Sequence, residues 1–271
     1  MQMQCNGGTR PQGTNHVSTE VLYYKDPGDG SPPPPAYVGQ PNTFIRPPHP
    51  QDVLITDVSD DEDKYTLDSH GFAFVKNHPS AEKDFVDDAQ IKAVYYPETE
   101  QLLKGLVADR PSPSTGATRV SRVFIFDHTI RRAVADDRAA PSQPRGPGFP
   151  VHIDQSYTAL ENRVWRPIKT ILRDLLGLAD AHSVPKSDLV PSKLIYPDRK
   201  GKTYSVRPNP AHRWYFKYAQ RPDEPLFIKC YDSLNDGRAR RVPHSAFVNP
   251  AHVNEPPRES IEVRALVFYD Y

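Results

Sequence analysis

Val151-His152-Ile153-Asp154 places an imidazole and a carboxylate two positions apart. In an extended strand, residues i and i+2 point to one face, about 6.5–7 Å apart along the chain. His152 and Asp154 would then face one cavity, with Val151 and Ile153 on the packed side. Such a pair supplies two adjacent metal ligands. One further imidazole completes a facial set of two histidines and a carboxylate, which leaves positions open on iron(II) for a co-substrate and dioxygen. A bare His-x-Asp is common, and its ordinary explanation is a surface strand with the two side chains paired in solvent. The rest of the chain has to decide.

Of the ten histidines, His244 is the expected third ligand. It stands in Val242-Pro243-His244-Ser245-Ala246-Phe247, at the entry to an expected strand. His182, His212 and His252 are rivals. His212 sits beside Arg213-Trp214 and could be a core or surface histidine, and His252 lies among Asn249, Pro250, Asn254 and Pro256, a solvated turn. Fourteen residues after His244 comes Arg258-Glu259-Ser260. A dicarboxylate co-substrate that chelates iron through its keto-acid end needs a cation for its far carboxylate, and arginine offers a planar fork for that purpose. Ser260, two residues on, adds a hydroxyl on the same strand face. Arg264 shares that face and is the rival anchor. The expected sites are thus His152, Asp154 and His244 for Fe(II), and Arg258, Ser260 and Arg264 for 2-oxoglutarate.

The elements that must position these groups are mostly strands. Val53–Val58, a turn and strand over Tyr65–Val75, and Arg119–Phe126 precede the His-x-Asp pair. Val151–Ser156, Ile168–Ile171, Leu175–Ala179, Lys193–Tyr196, His212–Tyr218, Leu226–Tyr231, His244–Val248 and Ser260–Tyr269 follow. Short strands at this spacing suggest an antiparallel sandwich or barrel. Two helices are expected, one over Asp84–Tyr96 and one opened by Pro97, which suits a first helical turn. Residues 1–20 read as loose, residues 26–50 as a surface-wrapping arm without regular structure, and residues 136–150 as a loop. The expected organisation is a proline-rich arm over 1–50 and a single domain over 51–271.

Bulk properties exclude several classes. Lys plus Arg equals Asp plus Glu, 34 against 34, so no electrostatic footprint for nucleic acid or anionic membrane is present. No apolar run is long enough to span a bilayer, and the first residues lack the pattern of a secretory signal. Two cysteines, Cys5 and Cys230, argue against a disulfide framework and for a reducing, cytoplasmic setting. Thirty prolines, about twice the usual share, argue against a helical bundle.

Several stretches together resemble the fungal hydroxylase/desaturase family that includes gibberellin-desaturase-like proteins and relatives of a cephamycin methoxylase subunit. They are Thr66-Leu67-Asp68-Ser69-His70-Gly71-Phe72, Tyr95-Tyr96-Pro97-Glu98, Phe126-Asp127-His128-Thr129-Ile130-Arg131-Arg132, Val151–Ser156, Val164-Trp165-Arg166-Pro167, His212-Arg213-Trp214-Tyr215, Ile228–Ser233, Pro243–Phe247 and Arg258–Ser260. The resemblance runs from about Glu20 to the C-terminus. It implies a mainly β chain with flanking α-helices, built on a double-stranded β-helix (jelly-roll, cupin-like) core. It also implies a non-haem Fe(II)/2-oxoglutarate-dependent dioxygenase that oxidises an unactivated C–H bond of a small molecule in fungal secondary metabolism, by hydroxylation, desaturation or oxidative cyclisation. The family's metal residues fall on His152, Asp154 and His244, and its co-substrate arginine on Arg258. One departure stands out. Relatives carry a longer, charged, helix-like stretch where this chain has only Tyr157–Arg163, and tend to have Asn at the position of Arg163, which puts closure over the site in doubt.

The resemblance places Arg122, Phe126, His128 and Arg131 near the site as candidate substrate contacts, with Trp165 and Arg166 added. Alternation sets Arg122, Phe124 and Phe126 on one strand face and Val123, Ile125 and Asp127 on the other. Three have an ordinary alternative: a salt bridge to Asp127 for Arg131, the core for a buried Trp165, an ion pair for Arg166. Lys229 and Asp232 read as structural. Two other classes compete with the oxygenase, whose expected partners are a small-molecule substrate and dioxygen. A jelly-roll binding protein with a non-catalytic metal site would bind no 2-oxoglutarate. The other is a small-metabolite transferase, of which a methyltransferase should show Gly-x-Gly-x-x-Gly, which is absent. A zinc hydrolase is weaker still, since the chain lacks His-Glu-x-x-His.

Overall fold

Short runs of alternating β-branched and aromatic residues assemble into two sheets. The computed structural model describes residues 15–107, 120–132, 146–155, 160–198 and 200–269. In chain order its strands are β1 (His16–Tyr24), β2 (Ala36–Tyr37), β3 (Pro48–Asp57), β4 (Phe72–Phe74), β5 (Val120–Arg131), β6 (His152–Gln155), β7 (Leu160–Pro167), β8 (Leu175–Ala179), β9 (Leu189–Ile195), β10 (Lys200–Val206), β11 (Trp214–Phe216), β12 (Leu226–Tyr231), β13 (His244–Phe247) and β14 (Ser260–Tyr269). A nine-stranded sheet runs β1-β3-β11-β8-β13-β6-β10-β9-β2, and a five-stranded sheet runs β4-β12-β7-β14-β5. Pairing is antiparallel except for β3 with β11 and β2 with β9.

The largest core cluster draws on both sheets, with Ile55, Leu178 and Trp214 from one and Trp165, Leu226 and Ile228 from the other. Removing such side chains from water is worth roughly 2 kcal/mol each, and it closes the sheets face to face. The other face of the five-stranded sheet is covered by a helix. Leu103 and Val107 pack on Val123, Val164, Phe227 and Ala265, and Ile91 and Tyr95 pack on Ile261 and Val263. Both faces of β7 and β14 are therefore buried, and alternation decides what each side chain meets. Arg163 and Trp165 face the opposite sheet, while Val164 and Arg166 face the helix. The mainly β architecture with flanking helices expected from the sequence is the one the chain adopts.

Local expectations differ from the structure in several places, and two strands, β7 and β10, fall where no strand was expected. Of the residues 1–20 read as loose, His16 to Glu20 form the start of β1, an edge strand whose His16, Ser18 and Glu20 are exposed, so their polarity reflects one wet face. The arm read as irregular carries β2, a 3-10 turn (Pro41–Phe44) and the first residues of β3. Ile168–Ile171 is not a strand, because β7 ends at Pro167, which donates no ladder hydrogen bond. The two helices are one continuous rod. α1 (Asp88–Gln90) passes through a π-helical turn (Ile91–Tyr95) into α2 (Tyr96–Val107). The Tyr96 amide bonds Ile91 O, five residues back. That widened turn sits just before Pro97, which has no amide hydrogen to continue a regular ladder. Residues 1–14, 133–145 and 156–159, and with them Cys5 and most of the expected 136–150 loop, lie outside the described residues. No described helix is long and apolar enough to cross a membrane.

Candidate functional site

The site begins at the centre of the nine-stranded sheet. β6 is short, and its Val151 and Ile153 are buried, so alternation turns His152 and Asp154 to the other face. In β13, His244 stands directly opposite His152, and their rings lie 4.5 Å apart. Asp154 Oδ2 is 3.8 Å from His152 Nε2 and 3.7 Å from His244 Nε2. One ligand atom from each residue lies within 4.8 Å of the others.

Both imidazoles are fixed in the same tautomer. His152 Nδ1 sits 2.8 Å from Pro150 O and His244 Nδ1 sits 3.1 Å from Val242 O. A carbonyl only accepts, so each Nδ1 carries the proton and each Nε2 presents a lone pair toward Asp154. Burial, then the Arg163 guanidinium, pushes the His244 pKa down to about 3. Burial, then His244, holds that of His152 well below its ordinary value. Two neutral imidazoles and a carboxylate are a donor set for a divalent cation, with the backbone contacts that orient metal-bound histidines.

A positive group already draws on this donor set. From β7 in the facing sheet, Arg163 Nη2 donates to Asp154 Oδ2. Its Nη1 donates to Glu262 Oε2 at 2.9 Å and approaches His244 Nε2 at 3.1 Å. Glu262 of β14 also accepts from Arg131 Nη2 at 2.8 Å. Burial alone would raise the Glu262 pKa, but Arg163 and Arg131 outweigh it and hold the carboxyl well below the usual range.

The fork expected for 2-oxoglutarate comes from Arg258, two residues before β14 begins at Ser260. Arg258 is buried, donates from Nη1 to Asp174 O at 2.9 Å and stacks over the Trp165 ring at 5.5 Å. Its Nε and the Ser260 hydroxyl are both buried with no hydrogen-bond partner. Two orphaned donors two residues apart fit a carboxylate. Arg264, by contrast, is forked onto Asp127 through Nε at 2.7 Å and through Nη2.

A cavity of about 1000 Å³ opens beside the His152 and Asp154 side chains, and Arg258 and Ser260 are not among the residues that line it. His152, Asp154, Arg163 and Glu262 line it, and so do His128, Arg131 and Arg264. The other candidate substrate residues sit elsewhere. Arg122 stacks on Phe124 at 5.1 Å, and Phe126 lies under Arg264 at 5.1 Å. Trp165 is in the core beneath Arg258. Arg166 faces the helix, where it donates to Tyr95 Oη, His78 O and Pro222 O. The strict alternation expected for β5 breaks at a bulge, because Arg264 pairs with Asp127 but Ala265 with Ile125. Phe126 is the extra residue, and such an insertion re-aims the strand beyond it. Of the rival histidines, His212 is tied to Tyr23 and Asp188, and His252 meets Tyr218.

Three cavity residues escaped the sequence reading as site groups: Arg163, Glu262 and Arg46. Glu262 had a signal, since it falls between Ser260 and Arg264 on the face the alternation assigns. Arg163 and Arg46 reach the cavity from distant segments, and only the pairing of the sheets brings them there.

The chain matches known proteins over most of its length. The family model described as Oxidoreductase/YMDC permease-like domain matches residues 21–164 and 162–268. The hydroxylase/desaturase efuI of Hormonema carpetanum is 34% identical over 262 residues, covering 81% of this chain and 84% of that one. The alpha-ketoglutarate-dependent dioxygenase tstK of Talaromyces stipitatus is 32% identical over 286 residues, covering 94% and 99%. Among solved structures, the iron and alpha-ketoglutarate-dependent endoperoxidase NvfI superposes with a TM-score of 0.75 at 22% identity, covering 94% of this chain and 98% of that one. That last likeness bears on the fold alone, a jelly roll with flanking helices.

Proposed function

The chain belongs to the fungal hydroxylase/desaturase family of Fe(II)/2-oxoglutarate-dependent dioxygenases, and from that premise we propose that it oxidises a C–H bond of a small molecule with iron held by His152, Asp154 and His244. 2-Oxoglutarate and dioxygen are its co-substrates. One observation carries the assignment of ligands: both Nδ1–H groups are committed to backbone carbonyls, so both Nε2 lone pairs converge on Asp154 Oδ2. When bound, iron(II) with 2-oxoglutarate and dioxygen supplies the oxidising power, coupling decarboxylation to succinate with removal of hydrogen from substrate carbon.

The side chains supply binding, orientation and exclusion of water. Pro150 O and Val242 O keep the imidazoles neutral and aimed. Arg258 Nε and Ser260 Oγ hold the far carboxylate of 2-oxoglutarate, which explains two buried donors that otherwise lack acceptors. Arg131 holds Glu262 when Arg163 turns away, so the Glu262 charge stays compensated on the cavity wall. The cavity receives the small-molecule substrate. A lid over the site is not needed for this reading.

The test is anaerobic titration with Fe(II) and 2-oxoglutarate, watching the weak visible charge-transfer band of the chelate. Wild type develops the band, and His152→Ala and Asp154→Ala do not. Succinate formation that survives in either variant sinks the ligand assignment.

A further inference from the structure

The arginines of the cavity wall are matched to carboxylates, with one exception. Arg131 pairs with Glu262, Arg132 with Glu259, Arg163 with Asp154 and Glu262, and Arg264 with Asp127. Arg46 lines the same cavity and forms no ion pair among the described residues. Its contacts are all to neutral oxygens. Nη1 donates to Ser192 Oγ at 2.9 Å and reaches Ser205 Oγ at 3.4 Å, and Nη2 donates to Pro34 O at 2.7 Å. Its Nε is buried with no acceptor.

These contacts fix the guanidinium close to the metal ligands. Ser205 of β10 stands directly opposite His152 of β6, and Thr203 opposite Asp154. Ser192 of β9 stands opposite Thr203. Residues opposite one another share a sheet face, so Ser192, Ser205, His152 and Asp154 point to one side. Arg46 lies over that side within two strand spacings of the ligands, on the order of 10 Å. The same cavity offers apolar surface from Leu22, Val38, Phe44 and Leu194, interleaved with the rings of Tyr24, Tyr196 and Tyr204. A half-buried cation with neutral partners and an orphaned donor carries an uncompensated desolvation penalty. Burial pulls its pKa down, and no carboxylate restores it.

We propose that Arg46 receives an anionic group of the substrate, so that the molecule oxidised is an apolar scaffold bearing one carboxylate or comparably acidic oxygen. The apolar wall takes the scaffold, the guanidinium takes the acid, and the distance between Arg46 and the ligands selects which carbon lies at the metal. The inference rests on the oxygenase reading for what happens at that carbon, but the anion site itself is independent of it. Arg46 is then a specificity-determining residue contributed by the arm before β3.

The test compares binding of two hydrophobic acids, dehydroabietic acid and 1-naphthaleneacetic acid, with binding of their primary amides, by calorimetry on the full chain. The measurement is made with and without Fe(II), anaerobically. Wild type is expected to bind at least one acid about tenfold or more tighter than its amide. Arg46→Gln should erase that preference, and Arg46→Lys, which keeps the charge, should retain part of it. A circular-dichroism melt establishes that both variants fold. Equal affinity for acids and amides, absence of binding by every probe, or a preference that survives in Arg46→Gln overturns the proposal. Titration with 2-oxoglutarate separates the second source of carboxylate. Its affinity should be the same in wild type and Arg46→Gln, and a loss confined to 2-oxoglutarate would assign Arg46 to the co-substrate and overturn the proposal. Failure of Fe(II) binding with the acid preference intact would sink the oxygenase reading and leave the anion site standing.

Discussion

Arg163 donates from Nη2 to Asp154 Oδ2, so a side chain of the five-stranded sheet occupies the carboxylate that faces both imidazoles. On the proposed ligand assignment, a metal ion taking Asp154 Oδ2 would break this contact, and a charge-assisted hydrogen bond is worth about 1.5–3 kcal/mol. Arg163→Asn should therefore bind Mn(II) about ten- to a hundredfold tighter than wild type, read from the free-ion signal by electron paramagnetic resonance. Glu262 keeps Arg131 as its partner in that variant, so the chain still folds. Equal or weaker Mn(II) affinity would show that Arg163 does not compete for the site.

A glycine far along the chain controls one of the imidazoles. Gly71 has φ +90°, and a Cβ there would collide with Val242 Cγ2. Val242 O is the acceptor that orients His244 Nδ1, and the Val242 amide is itself held by Lys229 O at 3.0 Å. Gly71→Ala combines backbone strain with overpacking, for a loss of about 2–4 kcal/mol. Urea unfolding should show that loss, and Mn(II) titration of the folded fraction should show weaker binding. Wild-type stability in Gly71→Ala would mean that Val242 moves aside freely.

The parts of the site visible in sequence were those within one strand. Four residues are enough to put His152 and Asp154 on one face, and the same period of two aligns Ser260 and Arg264 on β14, with Arg258 just before it. The strands of the apolar centre, such as β8 and β12, were legible as apolar runs, whereas β7, buried on both faces as well, was hidden because Asn162, Arg163 and Arg166 interrupt its pattern. β1, β9 and β10 were harder, since their wet faces dilute the apolar pattern with His16, Ser18, Lys193 and Lys202. The link between Arg163 and Asp154 could not be seen at all. The two residues are only nine positions apart, yet they stand in different sheets. Their meeting depends on the chain leaving β6 and entering the opposite layer. Arg46 is the same case over a longer span, because β9 and β10 receive it only after the arm has crossed the nine-stranded sheet.

Acid sensitivity should come first from buried neutral histidine. His212 Nε2 donates to Asp188 Oδ2 at 3.0 Å, and its Nδ1 accepts from Tyr23 Oη at 2.8 Å, which in turn accepts from Trp214 Nε1 at 3.0 Å. Burial lowers the His212 pKa below 6.5, outweighing the Asp188 carboxylate. His70 and His128 shift the same way, again mainly by burial. The unfolded chain therefore takes up protons first as pH falls. The contribution is fully present above about 6.5 and is lost as pH drops from there toward the folded-state values, with a slope of up to about 1.4 kcal/mol per pH unit for each group. Urea midpoints between pH 5 and 7.5 should decline on the acid side, and His212→Gln should flatten the decline. An unchanged slope in that variant would remove His212 from the account.

Arg258 and Arg264 can be separated by what already binds them. Asp127 takes two donors of Arg264, so a second carboxylate there would have to displace the first. Arg258 has one backbone acceptor and a buried Nε without a partner, beside an equally unsatisfied Ser260 hydroxyl. An arginine whose fork is unfilled gains most from a dicarboxylate. Arg258→Gln should weaken 2-oxoglutarate by about ten- to a hundredfold, the worth of a charge-assisted contact, while Mn(II) affinity stays at the wild-type level. Arg264→Gln should leave 2-oxoglutarate affinity unchanged. Arg258→Lys keeps the buried charge over Trp165 but not the planar fork, so it should fold like wild type and still bind 2-oxoglutarate less tightly. The reverse pattern, with Arg264→Gln losing the co-substrate and Arg258→Gln keeping it, would move the anchor six residues along the chain, into β14, and leave the orphaned pair at Arg258 and Ser260 without a ligand.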